Sequence, residues 1–146
     1  MKQQIIFIIF NILIGHNLFS QINYHCNLEY VKQADINSTK LNNKLIKEFL
    51  LTFHKDCSNN VEYIEYSNET LFEILNSNPS LVLQVINDNI GKIEYKLILQ
   101  AIENPIHDKI DLKKVKANVN SVEKDSKIKR DIISALNKAL EKNKGT

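Results

Sequence analysis

Asn78-Pro79-Ser80-Leu81-Val82-Leu83-Gln84-Val85-Ile86-Asn87-Asp88-Asn89-Ile90-Gly91 leads directly into Lys92-Ile93-Glu94-Tyr95-Lys96-Leu97-Ile98-Leu99-Gln100-Ala101-Ile102-Glu103-Asn104-Pro105. The reading of this stretch decides the fold. Asn78 has the chemistry of an N-cap, and Pro79 suits the first helical position, where its missing N–H costs nothing. Leu81, Val82, Val85, Ile86 and Ile90 follow at helical spacing. Gly91 suits a left-handed turn after the helix. Ile93, Leu97, Ile98, Ala101 and Ile102 repeat the pattern, and Pro105 ends it. So short a connection predicts two helices packed antiparallel on each other.

The flanking segments read the same way. Leu28 to Asp35 is a short helix. Ser38 or Thr39 caps a helix with Leu41, Leu45, Ile46, Phe49, Leu50 and Phe53 inward and Lys55 in its last turn. Cys57-Ser58-Asn59-Asn60 reads as a loop. Val61 to Leu75 is amphipathic, with Val61, Ile64, Leu71, Phe72 and Leu75 inward. Pro105 to Ile110 is a loop, and Asp111 caps a helix with Leu112, Val115 and Val119 inward. The last helix, Asp125 to Lys142, turns Ile128, Ile132, Leu136, Ala139 and Leu140 inward and ends exposed at Lys142. No period-two run and no Asn-Gly turn argues for strands. The expectation is an all-α single domain of about five or six helices packed as antiparallel hairpins, a small bundle or short solenoid-like stack.

The chain has 146 residues. Residues 1–20 read as a signal peptide: Lys2, then an apolar run from Ile5 to Ile14 too short to span a bilayer, then Ser20 before the expected cut. Residues 21–146 form one domain's worth of chain. The predicted location is the periplasm or the exterior. Heavy use of Asn, Ile and Lys points to an AT-rich bacterial genome. The formal charge of +2 is near neutral and implies no polyanion partner.

Cys26 and Cys57 are the two cysteines. An even count in an oxidising compartment predicts a disulfide between them. A second reading takes His25-Cys26 with His54-x-x-Cys57 as a tetrahedral zinc set, although adjacent His25 and Cys26 diverge. His107-Asp108, with His54 upstream and Asp131 downstream, resembles the ligand order of helical HD phosphohydrolases. That resemblance implies a small metal-dependent hydrolase using His54, His107 and Asp108. Asp125-Ser126-x-x-Lys129-Arg130-x-Ile132-Ile133-x-Ala135-Leu136 resembles the second helix of a HEAT-type repeat, which implies stacked helical hairpins and no activity. With three glycines in the chain, phosphate-cradling loops are excluded.

Glu62, Glu65, Glu69 and Glu73 fall within about 80° of one another around the helix, at 100° per residue. Tyr63 and Tyr66 lie near them, and tyrosine is favoured at interfaces. The stripe reads either as a solvated face or as a docking surface. The functional expectation is a non-enzymatic interaction module of the bacterial envelope, inhibitor or immunity-like. Its partner is another protein with a basic surface, not nucleic acid and, after signal cleavage, not a membrane. No cofactor or metal is expected. The small hydrolase is the alternative.

Overall fold

The computed structural model describes residues 23–38 and 40–143. The predicted signal peptide, 1–20, lies outside them, and so does Thr39. Among the described residues there are seven α-helices and no strands, slightly more helices than the five or six expected. They are α1 Leu28–Ile36, α2 Asn43–Leu50, α3 Val61–Ser77, α4 Pro79–Asn89, α5 Tyr95–Glu103, α6 Leu112–Asn120 and α7 Lys127–Lys142. A 3₁₀ segment, Lys55–Asn59, precedes α3, where the sequence suggested a loop. No helix among the described residues is long and apolar enough to cross a membrane.

Polar residues start the helices by taking up amide groups that have no partner inside the first turn. Side-chain oxygens of Asn27, Asn42, Asn60, Asp111 and Ser126 accept from the backbone N–H of Glu29, Leu45, Tyr63, Lys114 and Lys129. Asn42 therefore takes the capping role expected of Ser38 or Thr39. Ser38 and Lys40 are used in the turn that leaves α1, donating to Asp35 O and Asn37 O. Helix α2 also ends early. Phe53 lies beyond it, yet stays buried and meets Phe49 edge-on at 5.4 Å.

Both halves of the Asn78–Pro105 stretch form, with Pro79 at the predicted first position. They do not form a mutually packed pair. Helix α4 lies on α2 and α3, and α5 lies on α7. Helices α3 and α7 each touch both, so the apolar faces of α4 and α5 are buried against shared neighbours. Gly91 does not have the left-handed conformation expected of it. The turn closes instead through Lys92 and Ile93, whose amides donate to Asn89 O, and Ile93 is buried in the connection. Asn78 makes no capping bond; its amide donates to Ser38 O at 2.9 Å, tying α4's start to the turn after α1.

The hub is α3, which touches α1, α4, α5, α6 and the 3₁₀ segment. With neighbours on so many sides it buries Tyr63, Ser67, Asn68, Thr70, Leu71, Phe72, Ile74 and Leu75. Each fully buried large apolar side chain in the core, such as Leu71, Ile74 or Ile132, stabilises the fold by about 1.5–3 kcal/mol. Val61, expected inward, is 66% exposed, whereas Tyr63 in the same first turn is buried.

Candidate functional site

The face of α3 left uncovered by its neighbours carries the predicted stripe. Glu62, Glu65, Glu69 and Glu73 are all exposed. Among the described residues no Lys or Arg comes within ion-pairing distance of any of them. His107 is the one basic group that does, with Nε2 3.9 Å from Glu69 Oε2. Lys109 and Lys114 border the same shallow hollow as Glu69 and Glu73 without pairing with either.

The two tyrosines differ. Tyr66 is half-buried at the margin of the stripe and donates to Asp35 Oδ2 of α1 at 2.6 Å. Desolvation and that carboxylate push the phenol up to about 12. Tyr63 is 2% exposed, which corrects its assignment to a binding surface. Its hydroxyl lies 2.7 Å from Thr52 Oγ1, and Thr52 donates in turn to Phe49 O. Tyr63 thus pins α3 to the end of α2, and burial pushes its phenol up to about 12. Asp35 adds an acid that no local pattern places here. It stands against Glu73, and desolvation together with Asp35 and Glu69 pushes the Glu73 carboxyl up to about 7.

A second constellation lies at the N-terminal edge. Cys26 and Cys57 are joined by a disulfide, with Cα atoms 5.4 Å apart. Cys26 occupies the left-handed region, φ 54°, at the third position of a turn closed by Asn27 N–H donating to Tyr24 O. Cys26 N–H donates to Thr52 O, which sets this turn beside the end of α2. The result brings His25 over His54. Their rings stack 3.7 Å apart and 5° from parallel. His54 Nδ1 lies 3.2 Å from Asp56 Oδ2 and accepts the Asp56 N–H, starting the 3₁₀ segment. One ligand atom each from His25, His54 and Asp56 falls within 4.8 Å of the others. The disulfide uses both sulfurs, so the mixed Cys–His zinc set does not form.

The hydrolase residues are not gathered. His107 sits against Glu69, Asp131 accepts from the Tyr95 hydroxyl at 3.3 Å, and neither joins His54. Between His54 and the Pro105 loop runs a groove of about 320 Å³, with Phe53, Ile64, Leu97, Ala101 and Ile106 among its lining residues. Its lining includes Asn68, a residue that no local pattern singles out. Asn68 Nδ2 donates to Ala101 O at 2.8 Å, and its Oδ1 accepts from Ile106 N–H. A helix-interior Asn reads as outward-facing until its partners are known. Comparison of the chain with protein families, with curated proteins and with solved structures finds no match.

Proposed function

We propose that this is an exported, non-enzymatic interaction module that docks a protein with a basic surface through the acidic face of α3, in the manner of an inhibitor or immunity protein. One observation carries the reading: four exposed glutamates stand on the hub helix with no Lys or Arg paired to them among the described residues. A field of one sign steers an oppositely charged partner and fixes its register. The helix is held on its other sides, so its backbone needs no ordering at docking. Tyr66 adds an aromatic edge beside them. The disulfide, and the lack of a membrane-length helix among the described residues, are compatible with a periplasmic or extracellular location.

The test is capture from the native host's envelope fraction with wild type and two double variants, folding checked by circular dichroism. Glu65→Lys with Glu69→Lys is expected to abolish capture of the partner. His54→Ala with His107→Ala is expected to leave it intact. Wild-type capture is expected to weaken as salt rises, because exposed charges are screened beyond about 8 Å at physiological ionic strength. Equal capture by the charge-reversed and wild-type proteins removes the reading. Loss of activity from the histidine pair alone transfers it to an enzyme.

A further inference from the structure

We propose that His25, His54 and Asp56 form a binding site for a divalent late first-row transition metal ion, with copper(II) held most tightly. The site is separate from the acidic face of α3 and does not depend on the function proposed for that face.

The donor set is two imidazoles and one carboxylate. Cys26 and Cys57 stand beside it but are joined to each other, so no thiolate competes for the ion. Nitrogen and oxygen donors of this kind suit copper(II), nickel(II) and zinc(II), and the general order of affinity puts copper(II) first. The three ligand atoms already lie within 4.8 Å of one another. An ion bonded at about 2.0–2.2 Å to N and O holds its ligands roughly 3–4 Å apart. The remaining distance is within the reach of side-chain rotation at His25 and Asp56, which are exposed, while the His54 side chain, 16% exposed, is the held partner.

The backbone is already in place. The disulfide closes a separation of 31 residues and sits next to His25 on one side. On the other side Cys57 follows Asp56, and His54 is fixed as the cap of the 3₁₀ segment. Two histidines remote in sequence are therefore held face to face before any ion arrives, which lowers the ordering cost of binding. Parallel rings do not aim two lone pairs at one point, so binding tilts the imidazoles out of their stack. Three protein donors leave a coordination position open to water or to another donor.

The experiment titrates the untagged, disulfide-bonded chain with copper(II), nickel(II) and zinc(II) separately, by calorimetry and, for copper, by electron paramagnetic resonance. Wild type is expected to bind a single ion of each per chain, copper(II) most tightly, with nitrogen hyperfine structure from two imidazoles. His25→Ala and His54→Ala are each expected to weaken binding by about tenfold or more, and Asp56→Asn by less. His107→Ala is expected to bind as wild type does. These exposed or half-exposed positions lie outside the core, and circular dichroism confirms folding of each variant. No stoichiometric binding by wild type overturns the proposal. So does wild-type affinity in a folded His25→Ala, His54→Ala double variant.

Discussion

The two flanks of α3 are held by different means. On one flank α1 and α2 are nine and eight residues long, and the chain that enters α1 is a turn. Helices of that length are marginal without external support. Here the support is covalent, the Cys26–Cys57 bond between the entering turn and the 3₁₀ segment. On the other flank α5 and α6 are also only nine residues each. They are braced by α7, sixteen residues long, which touches both and buries Ile128, Ile132, Ala135, Leu136 and Ala139. Side-chain amides join that flank to the hub: buried Asn68 to the end of α5, and half-buried Asn118 of α6 to Asn76 of α3 at 2.8 Å. A long amphipathic helix removes the need for a cross-link, and a segment without one uses a bond that redox conditions can remove.

Breaking the covalent flank has the larger expected effect. Cys26→Ser with Cys57→Ser releases a closure spanning 31 residues, worth about 3–4 kcal/mol in the chain-entropy account. Chemical denaturation should show that loss, with hydrogen exchange accelerating first in α1 and α2. Stability unchanged within error would mean that packing holds this flank too, and the contrast between the flanks would disappear.

The amide flank is tested by Asn68→Ala. That change leaves the Ile106 N–H and the Ala101 carbonyl without their buried partner, a cost of about 1–3 kcal/mol. Protection should fall at the end of α5 and in the Pro105 loop, not in α1. Asn68→Asp is the sharper companion, because it keeps the acceptor for Ile106 N–H and loses the donor to Ala101 O.

Much of this architecture is legible in the sequence, and the boundary of legibility has a physical cause. Helix periodicity locates the helices that begin at Pro79 and Lys127 closely, and Asp111 caps its helix where expected, since both signals are local. Cysteine parity, taken with the expectation of an oxidising compartment, predicts the disulfide that joins Cys26 to Cys57. What periodicity does not say is which helix an apolar face meets. That is why α4 and α5 read as partners and are instead packed on α3 and α7. The same gap hides Tyr63, whose position beside the glutamates suggests a surface and whose hydroxyl is in fact buried against Thr52. Asp56 joins His25 only through the disulfide, and Asp35 meets Glu73 only through the packing of α1 on α3. Each of these is a contact between residues far apart in the chain, and a single sequence carries no local trace of it.

The smallest expected effect concerns that last contact and runs with pH. Glu73 on α3 faces Asp35 of α1, Glu69 and Tyr66 of its own helix, and a rim that includes Lys109 and Lys114. Desolvation and these acids raise its carboxyl from 4.5 to about 7. Between those values the folded chain binds more protons than the unfolded chain. The stabilising contribution is therefore fully present below about pH 4.5 and is lost as the pH rises through about 7. Glu73 is exposed to solvent, so the change stays under about 1 kcal/mol. Glu73→Gln keeps the shape and removes the titration. Its stability relative to wild type should rise between about pH 5 and about pH 8, because the glutamine never has to carry the second charge beside Asp35. The informative quantity is that difference, since other carboxylates contribute equally to both proteins. A difference that is flat with pH would show that Glu73 titrates alike in the folded and the unfolded chain. A difference of the expected sign would mean that the acidic face of α3 gains charge as the pH rises, and that docking through it strengthens on the alkaline side.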